Sequence, residues 1–343
     1  MEDTIYDHYI AIDWSIKNMA IARMTKKSNK ITAIDVPSDI EDLQAYLRNL
    51  KRTKILTIEE TTTSQWLYAE LKEYVDRILI CDPNRNKLLC EGAKTDKIDA
   101  SKLVQLLKAG LLKEVYHSTD KFLNLRRLVS GYEDLVKTGV RLKNQRYALL
   151  RACGKNGKEK AGIPIESQGE QFVLDSLDRQ IEAYEDEKEG YEREFERLAR
   201  KNVEIKHQRS LPCIGTINAV KIVARVVTPY RFPDKGHYLS YTGLIKLERT
   251  SGGRSYGKKN PRYSRQLKSV YKSGVLAAIG GNNPINDYYE HLTQKESCPE
   301  YNARQKACRR LAVLSLGVFK SGKKYQPFRR NDVSIGKEVA SGL

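Results

Sequence analysis

His8-Tyr-Ile-Ala-Ile-Asp-Trp14 is an apolar run that a single carboxylate, Asp13, interrupts near its end. A short continuous run of this kind is typical of a strand buried within a sheet. Lys54-Ile-Leu-Thr-Ile-Glu59 repeats the pattern and ends on Glu59. Because polar residues at the carboxyl ends of such strands gather in one crevice, we expect Asp13 and Glu59 to share a site.

The sequence around these two runs predicts an α/β domain with a mixed sheet and flanking helices. Three short strands with tight connections open the domain as an antiparallel meander, and strands then alternate with helices. The predicted strands are residues 8–14, 19–24, 30–36, 54–59 and 77–82, and the predicted helices are 39–50, 64–75 and 96–109.

Two further carboxylates, Asp96 and Asp99, lie three residues apart, so a helix places both on one face. With Asp13 and Glu59 they supply the oxygen ligands that two divalent cations need to clamp the attacking and leaving oxygens of a phosphodiester. The ordinary alternative is that these acids lie on the surface or cap helices. Glu60 and Asp82 are weaker candidates for the same site.

The charge balance favours a polyanionic partner. The 343 residues contain 61 Lys and Arg against 43 Asp and Glu, a formal net charge of +18. Residues 241–343 carry 20 basic and 7 acidic side chains. Binding to nucleic acid is expected because each neutralised phosphate releases counterions, although a basic structural protein would show the same balance.

Several protein classes find no support in the sequence. The six cysteines lack the spacing of metal fingers, and Met1-Glu-Asp-Thr4 does not resemble a signal peptide. No stretch approaches the roughly 18 apolar residues of a membrane span. We therefore expect a cytoplasmic protein without a membrane partner.

The middle of the chain is strongly helical. Residues 120–152 predict one helix, and the next segment holds a regular seam of roughly four heptads that is apolar except at Lys188 and typical of a coiled coil. The seam can close against residues 120–152, pair two protomers, or do both. Its residues are Leu174, Leu177, Ile181, Tyr184, Lys188, Tyr191, Phe195 and Leu198.

Two motifs in the last third suggest contacts with phosphate. Leu211-Pro-Cys-Ile-Gly215 resembles the turn of a helix-hairpin-helix element, with Cys213 where the first of two glycines usually stands. Ser251 precedes Gly252-Gly253 and lies between Arg249 and Arg254, although a flexible loop would have the same composition. Basic residues interleaved with tyrosines follow, and the candidates for nucleic-acid contact among them are Lys258, Lys259, Arg262 and Arg265.

Taken together, these residues resemble the DEDD transposases of insertion sequence 110, a family that includes the Piv-type DNA invertases. The resemblance extends from about residue 8 to about residue 328. Its N-terminal signature matches at Ile10-Ala-Ile-Asp13, Ile58-Glu59 and Lys94-Thr-Asp-Lys-Ile-Asp-Ala100. Its C-terminal signature matches at Leu211-Pro-Cys-Ile-Gly215, Tyr241-Thr-Gly-Leu244 and Ser251-Gly252.

The resemblance implies an RNase H or RuvC-like domain that binds Mg²⁺ (or Mn²⁺) through Asp13, Glu59, Asp96 and Asp99. It implies a nucleophilic serine, Ser251, that forms a transient phosphoserine link to DNA, with Ser255 as a substitute. It also implies DNA partners (element ends and target), a noncoding guide RNA, and homodimers that assemble into tetramers acting at the nucleoid. The acids of one protomer would then meet the serine of another.

The expected organisation is α/β followed by α. Residues 1–118 form the RuvC-like domain, 119–207 the coiled-coil helices, 208–328 a mainly helical transposase domain with Ser251, and 329–343 a disordered tail. Two other functions stay open at this point. One is a RuvC-like endonuclease or junction resolvase that uses metal-activated water, and the other is a nucleic-acid-binding protein without catalysis.

Overall fold

A five-stranded mixed sheet organises the first part of this computed structural model, as the sequence predicts. The structure describes residues 5–83, 95–117, 123–158 and 161–327. Contacts divide the chain into two compact units, Met1–Asp120 and Lys121–Leu343. The strands are β1 (His8–Trp14), β2 (Asn18–Thr25), β3 (Ser28–Pro37), β4 (Lys54–Glu59) and β5 (Arg77–Cys81).

The strand order is β3-β2-β1-β4-β5, with β1 antiparallel to β2 and parallel to β4. The helices of this unit are α1 (Ile40–Asn49), α2 (Ser64–Leu71) and α3 (Asp96–Lys108). Helix α2 ends before the predicted residue 75, because a turn after Leu71 brings Val75 onto the core.

Alternation along the strands gives the sheet two apolar faces. Ile10 and Ile12 pack with Leu43 of α1 and Leu67 of α2. Tyr9 and Ala11 point the other way and pack under α3 with a second apolar cluster. Since successive strand residues face opposite sides, Asp13 continues the series that faces α3.

Two long antiparallel helices open the second unit, α4 (Leu123–Ala152) and α5 (Gln168–Lys201). The apolar seam of α5 closes within the chain, where Tyr191 and Phe195 pack on Tyr132 of α4. Of the three sequence alternatives, closure against the preceding helix is therefore present. Pairing of two protomers through these helices stays a prediction.

The α4–α5 contact depends on a glycine. A Cβ atom at Gly139 would lie 2.3 Å from the ring of Tyr184, whereas a Cβ at Gly190 would meet only an arginine nitrogen at 3.9 Å. We expect Gly139→Ala to lower the free energy of unfolding by about 1–3 kcal/mol through overpacking. The same change at Gly190 should raise it by about 0.5–1 kcal/mol, because alanine is the better helix former. Urea denaturation of the two variants tests this, and equal effects would contradict it.

The rest of the second unit is mainly helical. Its core includes the buried side chains of Tyr238, Tyr271 and Leu311. A short antiparallel hairpin of β6 (Leu247–Ser251) and β7 (Arg254–Lys259) interrupts the helices, and the sequence did not predict it. The helices are α6 (Val203–Arg209), α7 (Thr216–Val226), α8 (Lys235–Tyr241), α9 (Arg265–Ala278), α10 (Pro284–Glu290) and α11 (Glu300–Ser321).

Two sequence predictions concern the ends and the surroundings of the chain. The tail predicted at 329–343 lies outside the described residues. Within the part of the chain that the structure describes, none of the helices has the length and apolar character needed to cross a bilayer.

Candidate carboxylate site and serine hairpin

Asp13 and Glu59 leave neighbouring strands side by side. The parallel pairing of β1 and β4 runs in register up to Ile12 opposite Ile58, so the next residue on each strand is a carboxylate. Residues in register on parallel strands point to the same face, and neighbouring strands lie about 4.8 Å apart. Both acids therefore belong to the face that α3 covers.

Asp96 and Asp99 lie in the first turn of α3, whose cap is Thr95. Acids in a first helical turn are stabilised by the helix dipole, which is the ordinary reason for finding them there. Contacts at both ends fix α3 against the sheet. Lys97 Nζ lies 3.1 Å from Asp35 Oδ2 of β3, and Lys108 Nζ donates to carbonyl oxygens of the β2–β3 turn.

Electrostatics links these carboxylates. Burial raises the pKa of the half-buried Asp13 carboxyl, and the negative charges of Asp96 and Asp99 raise this pKa further. Burial and the two charges act in the same direction on the Asp13 pKa, so the charges of Asp96 and Asp99 reach Asp13. A group of carboxylate oxygens with like charge suits a hard divalent ion.

The carboxylates nevertheless form an open arrangement rather than a closed ligand cage. Over the described ranges, no three His, Cys, Asp or Glu side chains are already grouped closely enough to hold an ion. Residues 84–94, which lead into α3, lie outside those ranges. The residues present fit a divalent cation by charge and donor type, and Asp13, Glu59, Asp96 and Asp99 are the ones that would hold it.

The raised pKa of Asp13 implies that its negative charge destabilises the metal-free protein. A carboxyl whose pKa is higher in the folded than in the unfolded protein destabilises the fold once it loses its proton. This cost begins as the pH rises through the pKa of the unfolded chain, near 3.8, and is complete above the pKa of the folded protein. Asp13→Asn should therefore stabilise the metal-free protein at neutral pH and have no such effect in strongly acidic buffer. Urea denaturation with and without Mg²⁺ measures this, and Mg²⁺ should stabilise the native protein more than the variant. An Asp13→Asn variant less stable than the native protein at neutral pH would contradict the repulsion.

Ser251 lies at the tip of the β6–β7 hairpin. Gly252 and Gly253 form the turn with φ of +55° and +76°, the positive values that a two-residue hairpin turn requires. Ser251 pairs with Arg254 across the turn, and Thr250 pairs with Ser255. Every residue of both strands is exposed, so the hydroxyl is accessible from outside the unit.

A bulge in β7 decides which side chains share a face with Ser251. Tyr256 and Gly257 lie together opposite Arg249, and Gly257 has the positive φ of +105° that accommodates the extra residue. Alternation then places Arg249, Arg254 and Lys259 on the face of Ser251.

The opposite face of the hairpin carries Ser255. Its companions there are Thr250, Glu248 and Lys258, because Glu248 pairs with Lys258 beyond the bulge. The face of Ser251 is thus strongly cationic, whereas that of Ser255 carries one lysine and one glutamate. An anionic phosphate would be attracted to the first face.

The turn before α7 adopts the conformation that the sequence left in doubt. Cys213 has φ of +57°, so it takes the conformation that a glycine usually supplies, and Gly215 caps α7. A cavity of about 810 Å³ adjoins Gly215 and is lined in part by Arg193. Glu196 also lines it and accepts a hydrogen bond from Thr216, so a carboxylate already occupies the helix end.

The basic segment after the hairpin is only partly available to a ligand. Arg262 follows β7, and Arg265 begins α9 on the exposed side. Tyr271 is fully buried, its hydroxyl 2.5 Å from that of Tyr238, and the pKa of Tyr271 is raised by burial to about 12. Tyr271 therefore belongs to the core and cannot stack on a base or attack DNA. Tyr256 stays exposed.

Sequence reasoning missed the residues that hold the base of the hairpin. Gly243 has a positive φ, and a Cβ there would lie 2.4 Å from the ring of Tyr263, so the incoming and outgoing chains touch. The backbone N–H of Ser264 also donates to the carbonyl of Tyr241. The Tyr-Thr-Gly-Leu motif was the available signal, since a glycine directly after a helical segment usually supplies the positive φ that ends the helix.

These features define a two-part protein, with carboxylates at the carboxyl edge of a mixed sheet in one unit and an exposed cationic serine hairpin in the other. Such groups are those that phosphoryl transfer uses. A family model of DEDD transposases of IS110, described as "Transposase", matches residues 10–154, and a model described as "Transposase IS116/IS110/IS902 family" matches residues 206–290. The chain belongs to the IS110 family of transposases.

A similar protein is known from an insertion element. The chain is 27% identical over 128 residues to the "Insertion element IS116 uncharacterized 44.8 kDa protein" of Streptomyces clavuligerus. The similarity covers 37% of this chain and 32% of that protein. The aligned part of the chain thus spans about a third of the length of that relative.

Proposed function

We propose that this protein is a site-specific DNA recombinase that moves an insertion sequence by cutting and rejoining DNA through a phosphoserine link. The observation that carries the proposal is that family models match both the part with the four acids and the part with Ser251. We assign the first unit a RuvC-like, RNase H type of fold. Its sheet order, with acids at the ends of adjacent parallel strands, supports that assignment.

In the proposed reaction the Ser251 hydroxyl attacks a phosphodiester. The bond between serine Oγ and phosphorus forms, the bond from phosphorus to the leaving sugar oxygen breaks, and the serine proton passes to solvent or a base while the leaving oxygen takes one up. A free sugar hydroxyl of another strand then reverses the exchange and releases the serine. The covalent link keeps the phosphodiester energy, so rejoining needs no external source.

Arg249 and Arg254, which share the face of Ser251, would neutralise the phosphate during the attack. Asp13, Glu59, Asp96 and Asp99 would hold Mg²⁺ or Mn²⁺, and a divalent cation stabilises the negative charge that develops on phosphate oxygens. Since the acids and Ser251 belong to different units, we propose that they complete one site, with acids from one protomer and serine from another.

The proposal extends to partners. The net charge of +18 suits DNA, both element ends and target, and also a noncoding guide RNA. Homodimers that pair into a tetramer would bring two DNA segments together for exchange in the cytoplasm at the nucleoid. The exposed cationic residues Arg249, Arg254, Lys258, Lys259, Arg262 and Arg265 are the proposed contacts near the cut. Gly215 is a further proposed contact, at which a phosphate would have to displace the Glu196 carboxylate from Thr216.

One experiment separates this function from its competitors. The full chain is incubated with element-end DNA, Mg²⁺ and cognate RNA, then denatured and examined for DNA bound covalently to protein. A Mg²⁺-dependent adduct supports the recombinase. Cut DNA without an adduct would indicate an endonuclease or junction resolvase that uses water. Binding without any cut DNA would indicate a protein that holds nucleic acid and does no chemistry.

A further inference from the structure

The two tryptophans of the chain meet at the end of the sheet that carries Asp13 and Glu59. Trp14 is the last residue of β1, directly after Asp13. Trp66 lies in the first turn of α2, the helix that follows β4. Their rings touch edge to face with centroids 5.5 Å apart. The strand that carries Asp13 and the helix that follows the strand of Glu59 thus bring the two indoles together.

The packing of α2 does not account for the exposure of Trp66. Helix α2 packs through Leu67 and Leu71, whereas Trp66 is 38% exposed. Ile16, in the turn after Trp14, is 97% exposed. Trp14 itself packs against the core beneath, so the pair is anchored. We call the indole pair Trp14 and Trp66, together with Ile16 in the adjoining turn, the ledge. Exposed apolar side chains at neighbouring positions of the fold can mark a binding surface.

The ledge and the acids lie on two sides of one sheet edge. Asp13 faces α3, and Trp14, the next residue on the strand, points to the opposite face. A nucleic-acid strand whose phosphate lies at the acids would carry a neighbouring base across this edge towards the ledge. Lys17, next to Ile16 in the same turn, is exposed and adds a positive charge beside the ledge.

We propose that the ledge stacks an unpaired nucleobase of the DNA strand whose phosphate is held at the acids. Every base has a flat π face, so an exposed indole binds bases whatever their identity. Only a single-stranded or flipped-out base presents that face, so the ledge would favour DNA opened next to the cut. This inference rests on the proposed function, because it takes the acids to be where the cut strand lies.

Tryptophan fluorescence reports on the ledge directly, because the chain has no tryptophan elsewhere. We expect single-stranded DNA to quench the fluorescence of the full chain, and an abasic strand of the same length to bind without comparable quenching. Trp66→Ala should weaken single-strand binding about tenfold, and Trp66→Phe should recover part of the loss. Tyr301→Ala is the matched control, because this exposed aromatic lies on α11, far along the chain from the ledge.

Equal quenching by the abasic strand, or unchanged affinity in Trp66→Ala, would overturn the proposal. So would a change of oligomeric state in Trp66→Ala at unchanged DNA affinity, because the ledge would then be a protein contact. If Trp66→Ala does not fold, Ile16→Ser at the most exposed position replaces it. Quenching by single-stranded DNA in a native chain that forms no covalent adduct would reject the recombinase alone. Adduct formation without quenching would reject the ledge alone.

Discussion

Replacing Ser251 with alanine should abolish the covalent protein–DNA adduct and strand exchange, while Ser255→Ala should retain both. The expected loss for Ser251→Ala is on the order of 10³-fold or more, the scale on which removal of a covalent nucleophile acts. The two serines lie four residues apart on one hairpin, both exposed, so they form a closely matched pair. The difference between them is the face on which each one lies.

The physical reason is electrostatic. Ser251 shares its face with Arg249 and Arg254, whereas Ser255 shares its face with Glu248. A phosphate drawn to the two arginines meets the Ser251 hydroxyl and not that of Ser255. The measurement is the amount of DNA that stays with protein after denaturation, with DNA affinity of each variant measured in parallel. An adduct that survives Ser251→Ala and disappears in Ser255→Ala would reverse the assignment.

The sheet was predictable because its signal is local. In β1 and β4 an apolar run leads to an acid. A continuous apolar run is the pattern by which a buried parallel strand is recognised in a sequence. The register that sets Asp13 beside Glu59 then follows from packing both runs in full. What the sequence could not supply is the path of α3 over the sheet, which decides that Asp96 and Asp99 approach Asp13.

The sequence did not predict the β6–β7 hairpin, because its strands carry no local apolar pattern. Its strands are exposed on both faces, so they lack the alternation of apolar and polar residues by which a strand is recognised. Gly252-Gly253 is the turn signal of a two-residue hairpin, although a flexible loop has the same composition. The bulge at Gly257, which selects the neighbours of Ser251, depends on pairing that no local pattern encodes.

In the basic segment, the interleaving of charges and tyrosines leaves open whether a tyrosine such as Tyr271 stacks on a base or packs in the core. Leu267, Tyr271 and Val275 recur every four residues, however, and all three are buried in the core of the second unit. The helical period of α9 was therefore the better guide, and it identifies Tyr271 as a packing residue.

The acids should matter as much as the serine, and two neighbouring glutamates allow a controlled test. Glu59 lies in register beside Asp13, whereas Glu60, the next residue along the chain, points away if the alternation of β4 continues. Glu59→Gln and Asp13→Asn should each reduce adduct formation by about 10²–10³-fold, because electrostatic stabilisation of the reacting phosphate is lost. Glu60→Gln should remain active. Equal loss in Glu59→Gln and Glu60→Gln would show that position relative to Asp13 is not what matters.

Mixing the inactive variants Ser251→Ala and Asp13→Asn tests whether the acids and the serine act from different protomers. In a shared site, the Ser251→Ala chain still supplies intact acids and the Asp13→Asn chain still supplies an intact serine. Co-assembled chains should therefore regain adduct formation, with the DNA attached only to the Asp13→Asn chain, which a size tag distinguishes. If each chain used its own acids with its own serine, every chain in the mixture would lack one essential group and no adduct would form. The identity of the labelled chain thus reports directly on how the two halves of the site are combined.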